Sequence, residues 1–329
     1  MPYTSAIGQR YDSGEFERVM DEALSRTDWA GFEARRAEAE RRGKRRGSGL
    51  AYYLEATGGS PDERAEVRFA ADGAVEVLVG TQSTGQGHET AYAMITANEL
   101  GVPIERIRVL QGDSDAVPSG GGTGGARSLY SEGTALLATT ATVLERGKQA
   151  AGEALEASAA DIEFEAGRFA IAGTDRAIGI LDLAQRQRDA RARGEDATQL
   201  DAAEVAAIPH HTFPNGCHVA EVEVDPDTGV VEIKRYLVMD DVGHALNPLI
   251  VRGQVHGGVA QGVGQAIHEH TAYDPESGQL LSASFMDYAL PRAEDLPEIE
   301  VDFVEVRCET NPLGVKGAGE AGAVGSPPA

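Results

Sequence analysis

Three glycine-rich runs punctuate this chain: Thr84-Gly85-Gln86-Gly87, Gly120-Gly121-Gly122-Thr123-Gly124-Gly125 and Gly314-Val315-Lys316-Gly317-Ala318-Gly319. Each opens or lies beside a helical stretch, and loops of this kind offer backbone N–H groups that cradle an anionic ligand without a basic pocket. The ligand class that follows is a phosphorylated or pyrophosphate-bearing cofactor. An ordinary nucleotide site fits less well. GGGTGGARS lacks the Gly-Lys-Ser/Thr of a Walker loop, and Gly80 to Gly87 is not the dinucleotide G-x-G-x-x-G pattern.

The elements around the loops read from spacing. Asp12 with Glu15 forms a capping-box-like start to two helices broken near Thr27-Asp28, and the basic run Arg41 to Arg46 ends the second, where cations meet the helix dipole. Leu50–Glu55, Glu66–Phe69 and Val75–Val79 read as strands, the last two joined by the turn Asp72-Gly73. His88–Leu100 follows the first loop as a helix stopped by Gly101. Ile107–Leu110 returns as a strand, and a long helix begins near Ser128 after the second loop. Gln185 to Glu204 is polar and mixed in charge, which predicts a solvated linker. Beyond it, Val219–Val224 and Val230–Ile233 alternate as a hairpin about Asp225-Pro226-Asp227. The helix expected over Arg252–Glu269 carries glycines at 253, 257, 258, 262 and 264. At about 1 kcal/mol each relative to alanine, these call for close approach of a backbone or a ligand. Asp113 with Asp115, and Asp240 with Asp241, read as turn residues. His210-His211 and His268/His270 lack metal-ligand spacing and read as ordinary polar groups. Ser326-Pro327-Pro328 reads as the start of a helix, so the second sub-domain is expected to be truncated.

Composition narrows the function. A chain of 329 residues with 41% hydrophobic content has material for about two domains. A net charge of −24 disfavours a nucleic-acid or anionic-membrane partner. No apolar run approaches a membrane span and the start lacks secretory-signal order, so a cytoplasmic location is expected. Cys217 and Cys308 stand alone, so an iron–sulfur cluster would sit in a partner subunit.

Taken in order, Thr84-Gly85-Gln86-Gly87-His88-Glu89-Thr90, Gly112-Asp113-Ser114-Asp115 with Gly124-Gly125-Ala126-Arg127-Ser128, Gly253-Gln254-Val255-His256-Gly257-Gly258-Val259-Ala260-Gln261-Gly262 and Gly314-Val315-Lys316-Gly317-Ala318-Gly319-Glu320 resemble the cofactor-binding subunit of the molybdenum hydroxylases. This is the family of xanthine dehydrogenase, aldehyde oxidase and the aerobic carbon monoxide dehydrogenase large chain. The resemblance implies an oxidoreductase with a molybdenum-pterin cofactor (molybdopterin, or its cytosine dinucleotide form). The metal would be held by the pterin dithiolene with no protein side-chain ligand. It implies Gln86, Gly87, Gly124, Gly125, Ala126, Arg127, Ser128, Gln254 and Lys316 as cofactor-binding residues. Lys316 could instead pair with Glu320 or stand at the surface. Glu320 matches the family's catalytic glutamate, which takes a proton from the water that supplies the oxygen inserted into a small substrate, an aldehyde, an N-heterocycle or carbon monoxide.

Family subunits are much longer, and their further N-terminal half, with a GGGFGGK-like and an FRGFG-like loop, is not in this sequence. The expected partners are that half, an iron–sulfur subunit and an FAD subunit. The expected fold is α+β: a helical lead-in over 1–48, then two similar mixed-sheet molybdopterin-binding sub-domains over 49–200 and 201–329 with packed helices, the cofactor lying between their loops. The other readings are a non-catalytic cofactor-binding or assembly module, disfavoured by the intact Glu320, and a generic glycine-loop phosphate binder, disfavoured by the absent Walker lysine.

Overall fold

A computed structural model describes residues 1–58, 62–208 and 210–329. In chain order its elements are β1 (Tyr3–Thr4), β2 (Arg10–Tyr11), α1 (Phe16–Arg26), α2 (Phe32–Arg41), β3 (Arg45–Leu54), β4 (Asp62–Phe69), β5 (Val75–Val79), α3 (His88–Leu100), β6 (Ile107–Leu110) and α4 (Ser128–Leu155). There follow β7 (Ile162–Glu165), β8 (Arg168–Ile171), β9 (Ala177–Gly179), α5 (Ile180–Ala192), β10 (Ala202–Ala207), β11 (Asn215–Val224), β12 (Val231–Asp241), α6 (Pro248–Val263), β13 (Ile299–Phe303) and α7 (Ala321–Gly325). The fold is α+β, as expected, and it divides into two compact units.

The first unit comprises Met1–Thr57, His210–Thr310 and Gly314–Ala329. Its sheet runs β13-β12-β11-β3, with β12 and β13 parallel and the other pairs antiparallel. Period-2 alternation gives the sheet two apolar faces. Cys217, Val219, Leu237 and Met239 pack against Val19 and Ala23 of α1. Ala220, Ile233, Tyr236 and Val238 pack against Val255, Val259 and Val263 of α6.

The second unit comprises Gly58–Pro209 and Asn311–Leu313. Its main sheet runs β10-β4-β5-β6. On α4, Leu136, Thr139 and Val143 are buried at helical spacing, and the Thr139 hydroxyl donates 3.1 Å to the Ala65 carbonyl of β4. A three-stranded sheet, β7-β8-β9, completes the unit.

Four expectations are corrected. The cuts at 48/49 and 200/201 do not follow the compact units. Residues 45–54 pair with 215–224 along their whole length, which draws β3 and the helical lead-in into the unit holding residues 210–310. The expected linker Gln185 to Glu204 is largely ordered structure. Leu183, Ala184, Gln187 and Ala190 form a buried stripe on α5, and β10 adds to the sheet edge beside β4. The helix stripe was hidden by the charges on its other face. Asp12 does not cap α1; it is buried and its carboxylate accepts from the Glu309 amide at 2.6 Å. Ser326 follows the last residue of α7 rather than opening a helix.

The basic run after α2 pairs across to β11. Arg42 meets Glu223 at 2.5 Å, Lys44 meets Asp225 at 2.6 Å and Arg46 meets Glu221 at 2.6 Å. Among the described residues no helix is long and apolar enough to cross a membrane.

Candidate functional site

In the second unit the two glycine loops are brought together because neither carries a side chain where they cross. A Cβ on Gly120 would lie 2.2 Å from the Gly80 Cα, and the Gly122 amide donates 3.2 Å to the Gly80 carbonyl. Gln82 donates its amide to Thr123 Oγ1 at 3.1 Å, and Ser128 Oγ reaches the same hydroxyl at 3.2 Å. Gly87, at φ +74°, opens α3, a left-handed geometry that glycine adopts without strain. Gln86 Oε1 accepts from the Thr84 amide at 2.5 Å and so shapes its own loop. Asp113 makes the expected turn, accepting from Asp115 N at 2.9 Å.

Gly124 has open space where a Cβ would stand, as do Gly85 and Gly122. Gly125 takes φ +62° and accepts from the Gly58 amide at 2.8 Å. Ala126 is held at φ +53°, a conformation that costs a non-glycine residue about 1 kcal/mol or more and persists where the surroundings over-determine it. Arg127 supplies that constraint. Its guanidinium is buried, pairs with Glu63 and donates 2.8 Å to the Gly122 carbonyl.

Sequence reasoning missed the carboxylate that fixes the first loop. Glu132 of α4 is fully buried and accepts from the amides of Gly80 and Thr81 at 3.1 and 3.2 Å, while its Oε1 has no partner. A signal existed, because Glu132 precedes Leu136 by four residues and therefore stands on the apolar stripe of its helix. Burial, with Glu63 nearby, pushes its carboxyl up to about 8 against the pull of the two amides.

In the first unit the Gly314–Glu320 loop is pinned at its base. Val315 bridges Gly243, the Lys316 amide donates 2.7 Å to the Val242 carbonyl, and the His244 amide donates 2.8 Å to the Gly314 carbonyl. Lys316 is a buried residue, neither at the surface nor paired with Glu320. Its Nζ is enclosed, donating 2.5 Å to Asp241 and 3.5 Å to the Ser13 carbonyl. That commits its charge to holding the loop. Asp241 also accepts from Asn215 Nδ2, Gly243 N and Val306 N. The Asp240-Asp241 pair is therefore a buried polar centre rather than a surface turn.

Glu320 stands exposed at the end of this loop, immediately before α7. The helix α6 that carries Gln254 packs on α7 through glycines: a Cβ on Gly258 would meet Gly322 Cα at 2.8 Å, and one on Gly262 would meet Ser326 Oγ at 1.7 Å. Gly253 and Gly257, flanking Gln254, have open space instead. Close approach of the α7 segment, by backbone at Gly258 and by the Ser326 and Pro327 side chains at Gly262, thus accounts for two of the five glycines, and two others face open space.

The first unit also holds a buried polar cluster that the sequence did not reveal. Glu55, just past the end of β3, is 9% exposed and both its carboxylate oxygens lack a hydrogen-bond partner. Burial first, then the facing Glu320, then Asp240, push its carboxyl up to about 8. Asp240 is pushed up to about 7, chiefly by burial, although Tyr53 donates to it at 3.0 Å. His218 bonds Tyr236 at 2.9 Å and is pushed down to about 3 by burial.

These shifts set a pH dependence. Glu55, Asp240 and Glu132 keep protons in the folded chain that the unfolded chain releases near pH 4, so they favour folding most at low pH and this stability is lost as pH rises through about 7–8. His218 acts oppositely, but only between about pH 3 and its ordinary value near 6.5. Thermal stability is expected to fall between pH 6.5 and 8.5, by at most about 1.4 kcal/mol per group per pH unit. Glu132→Gln should flatten the fall; calorimetry across that range checks it, and an unchanged slope in the variant would remove Glu132 from the account.

The fold and its loops define a class: an α+β domain whose glycine loops present backbone amides and one exposed glutamate. The molybdopterin cofactor-binding domain family matches residues 22–297, and the chain belongs to that family. It is 34% identical to the carbon monoxide dehydrogenase large chain of Afipia carboxidovorans, covering 99% of this chain and 42% of that protein. It is 32% identical to the nicotine 6-hydroxylase large subunit of Paenarthrobacter nicotinovorans, covering 100% of this chain and 42% of that one. The structure superposes on quinoline 2-oxidoreductase from Pseudomonas putida 86 with a TM-score of 0.89 at 32% identity, covering 99% of this chain and 43% of that chain. The chain thus spans well under half the length of the curated relatives it matches.

Proposed function

We propose that this chain is the cofactor-holding part of a molybdenum hydroxylase that oxidises a small aldehyde, N-heterocycle or carbon monoxide with oxygen drawn from water. The observation that carries the reading is Glu320: an exposed carboxylate on a loop anchored by a buried ion pair, in a chain of the molybdopterin-binding family. The residues present fit such a group. Gly85, Gly122 and Gly124 leave their backbone open on one side, Ala126 is held in a strained turn, and Gly253 and Gly257 clear space beside Gln254.

When bound, the molybdenum-pterin group supplies a two-electron oxidation at the metal. Glu320 accepts a proton from the water whose oxygen enters the product. In the second unit Gln86, Gly87, Gly124, Gly125, Ala126 and Ser128 would hold the pterin group, and in the first unit Gln254 would. Arg127, through Glu63 and Gly122, and Lys316, through Asp241, hold these loops in shape. The pterin is molybdopterin or its cytosine dinucleotide form in this reading, and electrons would pass to iron–sulfur and FAD subunits. The printed names of the relatives, carbon monoxide dehydrogenase large chain and nicotine 6-hydroxylase large subunit, support the oxidoreductase class.

The test is elemental analysis for molybdenum, with pterin fluorescence after oxidation, on wild type and Glu320→Gln purified from a host that makes the cofactor. Stoichiometric molybdenum in both supports the reading. Folded protein without molybdenum, whether alone or co-expressed with the remaining length found in its relatives, rejects it.

A further inference from the structure

Glu320 leads directly into α7, and its carbonyl accepts from the Ala323 and Val324 amides at 3.0 Å each, so whatever seats α7 also places this glutamate. α7 packs on α6, β11 and β3. Alternation along β11 turns Gly216, His218 and Ala220 to the face that α6 covers. Their partners on β3 are Tyr53, Ala51 and Gly49. Small residues thus clear this face of β11 except at His218.

Gly325, the last residue of α7, stands over the His218 ring. A Cβ there would lie 2.4 Å from Cδ2, 2.5 Å from Nε2 and 2.7 Å from Cγ, so the helix backbone rests on the imidazole with no side chain between. On the α6 side the contact is also backbone, since a Cβ on Gly322 would lie 2.4 Å from the Val255 carbonyl oxygen. Close-packed contacts of this kind leave little slack to absorb a shift.

The ring itself is fixed. It is fully buried, with the Tyr53 and Tyr236 rings edge-on at 5.5 and 5.8 Å between centroids. Its Nδ1 lies 2.9 Å from Tyr236 Oη and its Nε2 lies 3.9 Å from Asp240 Oδ1. Among the described residues Nε2 makes no hydrogen bond. A neutral imidazole carries its proton on one nitrogen and accepts at the other. Asp240 Oδ1 is an acceptor, because Tyr53 donates to it at 3.0 Å. An N–H turned toward that oxygen is attracted and a lone pair is repelled. The proton therefore belongs on Nε2, and Tyr236 donates to Nδ1. At 3.9 Å the Asp240 contact is too long for a hydrogen bond and orients the ring by charge alone.

We infer that His218, clamped between Tyr236 and Asp240, is a positioning residue for Glu320: its ring is the seat of α7, and α7 carries the glutamate. It acts through Glu320, so its consequence for catalysis rests on the proposed function, whereas the seat does not.

The test uses the full chain without cofactor. Nitrogen-15 NMR of the histidines should show one ring with its proton on Nε2 and a hydrogen-bonded, unprotonated Nδ1, and Tyr236→Phe should change that ring alone. A proton on Nδ1 overturns the clamp. Hydrogen exchange then reads the seat at the Ala323, Val324 and Ser326 amides of the α7 segment, against the Val19 and Ala23 amides of α1 on the opposite face of the sheet. Alanine in place of glycine ordinarily steadies a helix. Gly325→Ala is expected to do the reverse, speeding exchange at the α7 amides by about tenfold or more while leaving α1 unchanged. His218→Ala should also speed it, because the seat is gone. Joining the two should give slower exchange than either alone, because the new methyl group fills space the ring has left. That rescue is what a merely destabilising substitution does not produce. Gly325→Ala exchanging no faster than wild type, or a double variant in which the two effects multiply, overturns the seat. Should His218→Ala not fold, Gly325→Ala and the milder Tyr236→Phe, also expected to speed α7 exchange, decide the matter by the same amides. None of these readouts requires molybdenum, so failure of the cofactor reading shows in the metal analysis and failure of the seat in the exchange rates.

Discussion

Lys316→Met should destabilise the first unit by about 3–5 kcal/mol, the loss expected when one partner of a buried ion pair is removed and the other charge stays enclosed. The side chains of Lys316 and Asp241 have no exposed surface, and their contact is 2.5 Å. Three remaining donors to Asp241, from Asn215, Gly243 and Val306, soften the penalty without matching the lost charge. Because Lys316 stands four residues before Glu320 on a loop bridged to Gly243, loosening the pair should also let the glutamate wander. Chemical denaturation of wild type, Lys316→Met, Asp241→Asn and the double variant measures the coupling. If the double variant is as unstable as the sum of the singles, the pair does not hold the loop.

Glu320→Gln should leave molybdenum content unchanged and lower turnover by about 10²- to 10⁴-fold, the range by which a positioned general base accelerates a proton transfer. The substitution removes the basic oxygen but keeps size and leaves intact the Glu320 backbone carbonyl, which accepts from the Ala323 and Val324 amides at the start of α7. The measurement is kcat per bound molybdenum in the assembled enzyme. An undiminished rate would take the base role from Glu320.

The two predictions differ in how far the sequence could have led to them. Glu320 was legible, because a glutamate closing Gly314-Val315-Lys316-Gly317-Ala318-Gly319 belongs to an ordered set of loops that resembles one family. The role of Lys316 was not. Its partner Asp241 is 75 residues away in the chain, and nothing local distinguishes a lysine inside a glycine loop from one on a surface. The same divide runs through the fold. Helices α1 to α4, the β4–β5 hairpin and the β11–β12 hairpin follow from local periodicity and turn residues, since their hydrogen bonds close over short separations. The linker expected over Gln185 to Glu204 failed because a half-charged helix declares its buried stripe only against the sheet it packs on.

The sequence by itself determined where the glycine loops fall and which helices and hairpins they join, which are properties of spacing and residue type, and its resemblance to one family singled out the glutamate proposed for proton transfer. Only the tertiary structure decided that β3 belongs with β11 and β12, that Arg127 and Lys316 are buried struts, and that the Glu55 carboxylate is buried without a hydrogen-bond partner. The pairings depend on bringing residues together across about 60 to 180 positions of chain. Burial and charge there are set by the neighbours a residue acquires rather than by the residues beside it in sequence.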